Sequence, residues 1–226
     1  MKAISGQNKV LLRSFVITLI VVGLFTWVAL LIGQHRIEAF DNRITDAIQG
    51  LRSDTLTAWM KRFTAIGAGT PVIIIIALFA AGLAVIGYRR ELLFYLGIIG
   101  LSGLLNVLLK QIFHRARPDI SRIIEASGFS FPSGHSMSAF TLYGITIYFV
   151  WKHLRYAWLR LTVIILGSFL ILMIGASRIY LGVHYPSDVI GGYLISGAWL
   201  SISIGLYERF LERRWRSRKL RARATG

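Results

Sequence analysis

Six apolar runs, at 14–33, 71–88, 92–109, 136–151, 161–176 and 189–206, set the terms for how this chain of 226 residues can fold. A helix rises about 1.5 Å per residue, so roughly 20 residues cross a 30 Å hydrocarbon core. The fourth and fifth runs are shorter, and each continues into its flanks. None of the six alternates apolar with polar residues, which a membrane barrel needs many times over. The pattern predicts an all-α, polytopic membrane protein with six transmembrane helices and both termini on one side. The first run follows Lys2, Lys9 and Arg13 as a secretory signal would. Its apolar stretch is longer than a signal core and no small-residue cleavage site follows, so it reads as a retained helix. Composition agrees: 55% of residues are hydrophobic and 16% charged, against about 45–50% and 25% in soluble domains. A disordered chain is excluded and a soluble globular domain is disfavoured.

The charge is strongly basic, 26 Lys and Arg against 10 Asp and Glu, a formal +16. Such a balance suits nucleic acid or a membrane surface, and its placement decides for the membrane. Sixteen of the basic residues lie at the N-terminus, at 89–90, at 152–160 and after 206; the other ten lie in 34–70, 110–135 and at Arg178. The positive-inside bias therefore places the termini in the cytoplasm and the loops 34–70, 110–135 and 177–188 outside. The basic tail, 207–226, reads as a cytoplasmic anchor beside anionic headgroups, with no nucleic-acid partner. The chain has no cysteine, which removes disulfides, thiolate catalysis and zinc ribbons. No repeat or linker divides it, and 1–226 reads as a single domain. Within 34–70, Phe40, Ile44, Ile48 and Leu51 share one helical face. Leu56, Trp59, Met60 and Phe63 share another after a Ser53-Asp54 start signal. Two outer-face amphipathic helices are expected, lying on the membrane surface or packed on the bundle.

Polar chemistry collects at the outer ends of the later runs. Lys110, Arg117 and Arg178 are three fixed cations suited to a dianionic phosphate, since the arginine fork matches phosphate oxygens. Pro132-Ser133-Gly134 opens a helix whose first amides can face the same anion. His135 and His184 can divide nucleophilic and general-acid roles. Asp188, four residues beyond His184, can hold the imidazole tautomer. Asp119, Glu125 and Asp188 are the only acids in these loops, too few for a catalytic metal pair. Singly, these residues have plainer explanations. Arg117 and Arg178 can snorkel, Ser133 can be only a helix cap, and Arg115 reads as a headgroup contact. His114 reads as a lining residue and His35 and His153 as membrane-edge loop residues. Gly97, Gly100 and Gly103 read as packing or helix flexibility.

Three blocks appear in order: Lys-x6-Arg-Pro at 110–118, Pro-Ser-Gly-His at 132–135 and Ser-Arg-x5-His-x3-Asp at 177–188. Together they resemble the motifs of the type-2 phosphatidic acid phosphatase family. That family includes membrane lipid phosphatases, glucose-6-phosphatases and vanadium haloperoxidases. The resemblance implies His184 as a nucleophile forming a phosphohistidine, oriented by Asp188. It implies His135 as the acid that protonates the leaving oxygen and then activates water. It implies Lys110, Arg117, Ser133, Gly134 and Arg178 as phosphate-binding residues, with no metal or cofactor. The expected function is dephosphorylation of a membrane lipid phosphate at the outer face of the cytoplasmic membrane. Phosphatidylglycerophosphate, phosphatidate and undecaprenyl diphosphate are the expected substrates. A vanadate-dependent haloperoxidase-like enzyme and a non-enzymatic lipid-phosphate carrier are the alternatives.

Overall fold

The structure is a computed structural model that describes residues 6–119 and 121–224, with side chains over 10–119 and 121–211. Lys2 and the side chains of Lys9 and most of the basic tail lie outside the described residues. Eight helices occur among those described: α1 (Gly6–Gly33), α2 (Glu38–Gln49), α3 (Asp54–Ala65), α4 (Gly69–Val85), α5 (Arg89–Phe113), α6 (Gly134–His153), α7 (Ala157–Tyr180) and α8 (Pro186–Ala224). No strand occurs among them. The β-branched run 72–76 in α4 would disfavour a helix in water. In hydrocarbon only a helix satisfies every backbone group within one segment, and that constraint prevails.

Each apolar run coincides with a helix. Four stretches are long and apolar enough to cross a membrane: Val10–Gly33, Arg89–Phe113, Ala157–Tyr180 and Pro186–Leu211. The pair α3 and α4, bent by 49° at their break, makes a fifth if it is one broken span. The expected count of six therefore meets four or five helices of that kind. Helix α4, 17 residues long, counts only together with α3, and α6 falls short because it carries a polar inner face: Ser136 and Thr141 are buried, and Thr141 Oγ1 lies 2.9 Å from Ser102 Oγ of α5.

Helix α6 is central, packed on α5, α7 and α8, while α1 runs along α8 and α4 leans mainly on α5. Tyr95, Leu142, Ile145 and Phe149 form the buried centre of the bundle. The outward faces are apolar: Leu78, Val85, Leu93, Leu104, Ile112 and Leu172 are all more than half exposed. Water does not tolerate so extensive an apolar surface on a monomer, whereas lipid requires it. Gly97, Gly100 and Gly103 lie on such a surface. A Cβ at any of them would meet nothing within 4 Å, which overturns the packing explanation for these glycines.

The segment 34–70 forms two helices, α2 and α3, and Ser53 caps the second by accepting from the Leu56 amide at 3.3 Å. Helix α3 lies against α7, and α2 against α7 and α8. Their apolar faces are only partly used. Met60 is buried, but Leu51 is 66% and Trp59 50% exposed, and the residue α2 buries is Asp41.

Candidate active site

The last turn of α5, the loop 114–133, the first turn of α6, the last turn of α7 and the start of α8 meet at one end of the bundle. Two close contacts bring them together. Phe131 is fully buried, stacked on Phe25 at 5.5 Å and edge-on to Phe113 at 5.0 Å. Helix α8 passes beneath it at Gly191, where a Cβ would fall 2.3 Å from the ring. The chain leaves α7 through Gly182 at φ +77, a conformation that favours glycine, with the Ser121 carbonyl so near that a Cβ would lie 2.7 Å from it. Pro186 then opens α8 at its first position. Asp188, three residues past Tyr185, reaches back to accept from the Tyr185 amide at 2.8 Å, the carboxylate half of a capping box. The carboxylate is thus held by the helix start that also presents His184.

A cavity of about 510 Å³ is lined by Lys110, Arg117, Gly134, His135, Arg178 and His184, together with Asn106 and residues of the α3–α4 break. The hydrogen-bonding partners of its cations are neutral. Lys110 Nζ donates to the Phe129 carbonyl at 2.5 Å. Arg117 donates to the carbonyls of Gly128 (2.9 Å), Val183 (2.9 Å) and Ser127 (3.0 Å). Arg178, only 4% exposed, donates from Nη1 to Thr64 Oγ1 of α3 at 2.6 Å, and its buried Nε has no partner. Burial holds the Arg117 guanidinium below its ordinary range, with Asp188 opposing and Arg122 adding to the effect. Three buried or half-buried cations without carboxylate partners are costly unless an anion joins them.

His184 is 2% exposed and stands between two chemistries. Its Nε2 lies 3.0 Å from Arg117 Nη1. A guanidinium only donates, so Nε2 accepts and its lone pair lies on the cavity side. The ring proton is then on Nδ1, facing Ser130 Oγ at 3.3 Å and Asp188 Oδ2 at 3.4 Å. Burial pushes the imidazole down to about 4; Asp188 opposes this, and Arg117 and Arg178 add to it. A neutral, Nδ1-protonated imidazole is a competent nucleophile at neutral pH once Arg117 releases its Nε2 lone pair.

The other residues singled out in the sequence lie on or away from this cavity. Ser133 is buried, caps α6, and accepts from the Ser136 amide at 3.4 Å and hydroxyl at 2.9 Å, while its own amide donates to the Asp188 carbonyl at 3.0 Å. Like Asp188, it does not line the cavity. Gly134 lies at the cavity wall, where a Cβ would sit 3.0 Å from Asn106 Oδ1. His114 is an exposed C-cap of α5 at φ +46 with its ring against Phe129, so it does not line the site. His35 is exposed and pairs with Glu38, and His153 bonds the Phe149 carbonyl at the far end of α6.

Arg115 is a correction. It is not a headgroup contact: its guanidinium joins two buried carboxylates, Asp41 of α2 at 2.8 Å and Asp188 at 2.7 Å. Burial works against its charge, and the two carboxylates outweigh that, holding it above the usual arginine range. Asp41 and Ser130 were not anticipated at all. Ser130 donates to Asp188 Oδ2 and is fully buried. Its only sequence signal was its place two residues ahead of Pro132.

Residues 91–212 match the family model described as the PAP2 superfamily. Phosphatidylglycerophosphatase B of Bacillus subtilis is 34% identical over 170 residues, which cover 75% of this chain and 84% of that protein. The undecaprenyl-diphosphatase BcrC of the same organism is 31% identical over 113 residues, 47% of this chain and 53% of that one. Among solved structures, the transmembrane PAP2-type phosphatidylglycerolphosphate phosphatase of Bacillus subtilis superposes with a TM-score of 0.80 at 31% identity. That superposition covers 85% of this chain and 96% of the other.

Proposed function

The chain belongs to the PAP2 superfamily, and from that premise we propose that it removes a phosphate from a membrane lipid by way of a phosphohistidine at His184. It is a phosphoric ester hydrolase of the membrane-phosphatase kind. The observation that carries the finer reading is the His184 lone pair on the wall of a cavity that also holds Lys110, Arg117 and Arg178.

The steps follow from that placement. The three cations take the phosphoryl oxygens, and Arg117 Nη1 turns from Nε2 to the anion. Nε2 attacks phosphorus as the bond to the lipid oxygen breaks, and the ring takes on positive charge that Asp188 offsets through Nδ1–H. His135, whose protonated form the bound phosphate favours, gives its proton to the leaving oxygen. The now neutral His135 accepts a proton from water, whose oxygen attacks phosphorus and releases His184 and inorganic phosphate. Cation donors act where other phosphoryl-transfer enzymes place a divalent ion.

The substrate class we infer is a lipid phosphate such as phosphatidylglycerophosphate, phosphatidate or undecaprenyl diphosphate. A site at the ends of apolar helices takes the headgroup while its chains stay in lipid. Six crossings with cytoplasmic termini, and a site on the outer face, fit the distribution of basic residues. The chain reads as one domain over 1–226, with the Gly134 amide as a further phosphate donor on the cavity wall and Ser133, expected to bind phosphate itself, supporting that amide as the α6 cap.

The test is phosphate release by detergent-purified protein in EDTA. Phosphatidylglycerophosphate, phosphatidate, undecaprenyl diphosphate and glucose 6-phosphate are compared, with His184→Ala as control. Release from a lipid, lost on the order of 10⁴-fold or more in the variant, is expected. Release that survives His184→Ala, or that EDTA abolishes, overturns the mechanism.

A further inference from the structure

A buried line of charge runs from the surface helix α2 to His184. Asp41 is 1% exposed and Asp188 fully buried, and one arginine lies between them. Arg115 Nη2 donates to Asp41 Oδ2 and Nη1 to Asp188 Oδ1. Ser187 closes the arrangement. Its amide donates to Asp41 Oδ1 at 2.9 Å and its hydroxyl to Asp41 Oδ2 at 2.6 Å, and that hydroxyl accepts from Arg115 Nη1 at 2.7 Å. The Tyr185 ring covers the guanidinium at 4.3 Å.

We propose that Asp41 is a positioning residue for the reaction, acting through Arg115 on Asp188; this rests on the reading of His184 as nucleophile. An arginine beside a lone carboxylate favours the bidentate pairing, two parallel bonds to both oxygens. At Asp188 that pairing would take Oδ2, the oxygen that faces His184 Nδ1 and receives Ser130 and the Tyr185 amide. Asp41 occupies the second arm of the fork and so confines Arg115 to Oδ1. Asp188 keeps one oxygen for the charged wall and one for the imidazole. The trio Asp41, Arg115 and Asp188 carries a net single negative charge, which matches the positive charge the ring gains as Nε2 bonds phosphorus. A second carboxylate from α2 thereby ties a helix outside the motifs to the reacting histidine.

The experiment compares steady-state phosphate release from a lipid phosphate by wild type, Asp41→Asn, Ser187→Ala and His184→Ala, each as the full chain in detergent. Asparagine keeps the size of Asp41 and removes the charge that holds the arm. A fall in kcat of about tenfold, the scale typical of groups that orient a reacting side chain, is expected with KM within about twofold. An unchanged kcat, or a loss confined to KM, overturns the proposal. If Asp41→Asn does not yield folded protein, Ser187→Ala decides. It leaves both ion pairs in place and removes only the shared hydroxyl, so kcat must fall severalfold at constant KM, and wild-type kcat overturns the idea. His184→Ala separates the two levels. Activity that survives there defeats the nucleophile itself, whereas an inactive His184→Ala beside a fully active Asp41→Asn defeats only the positioning role.

Discussion

Arg115 and Arg117 are two residues apart in one loop, and they stand in opposite electrostatic surroundings. Arg115 is spent on two carboxylates and a hydroxyl inside the wall. Arg117 has three carbonyls and an imidazole nitrogen, all neutral, and lines the cavity. A compensated cation holds geometry, because removing either partner leaves a buried charge uncovered. An uncompensated one is available to an arriving anion. The loop alternates the two kinds on either side of Ala116, so that neighbouring arginines serve the back and the front of one histidine.

The largest expected effect breaks this contrast directly. Arg117→Ala should lower kcat/KM by about 10²–10³-fold, the cost of losing one donor to the reacting oxyanion. Its Tm should stay near wild type, since no ion pair is lost. Arg115→Ala should instead lose stability, about 3–5 kcal/mol for one partner of a buried pair, seen as a fall in Tm in detergent. Equal losses of Tm in the two variants would erase the distinction.

Much of the front of the site was legible in the sequence, and the back was not. Lys110, Arg117, His135, Arg178 and His184 come from three blocks at fixed spacing, and the structure places all five on one cavity. Their chemistry was readable because a nucleophile, an acid and uncompensated cations are residue types whose joint presence has few other uses. Asp41 was invisible for a physical reason. Its partner lies 74 positions away, and within α2 it sits between an exposed Phe40 and an exposed Asn42, with nothing local to betray burial. Arg115 was misjudged because a lone arginine at a membrane edge has a plain alternative, snorkelling. The helices were legible from their apolar runs. The crossing character of α6 was less so, because its polar inner face serves tertiary packing.

A smaller effect sharpens the front-to-back comparison through pH. Burial, then Arg117 and Arg178, hold the His184 imidazole down to about 4 against the pull of Asp188; His135, Glu125 and Lys110 are further titratable groups on the same cavity. The folded value lies below the unfolded one, about 6.5, so the unfolded chain binds the proton more readily. The stability this group contributes is complete above pH 6.5 and is lost as pH falls through 4. The same ordering keeps the nucleophile unprotonated in mildly acidic solution. Replacing Arg117 with Ala removes one of the charges that lower His184, so its acid limb in kcat/KM should move to higher pH. A limb that does not move would assign the ionisation to another group.

The smallest effect concerns α3, whose turns are used unequally. At one end Thr64 is buried and receives Arg178. The preceding residue, Phe63, rests edge-on against Phe169 at 5.9 Å, and about one turn before it Trp59 is half exposed with Arg62 over its ring at 4.9 Å. A tryptophan of that kind suits the headgroup level of a membrane, where its ring meets lipid more than protein. Trp59→Ala should therefore alter the encounter with a bilayer-borne lipid and leave the chemistry alone. The expected result is a rise in KM of about threefold or less for substrate in vesicles, the modest scale of one exposed aromatic contact. Both kcat and the KM for a short-chain, water-soluble phosphate should hold. A fall in kcat for both substrates would mean that the Trp59 turn of α3 bears on Arg178 as directly as Thr64 does, and the division along this helix would disappear.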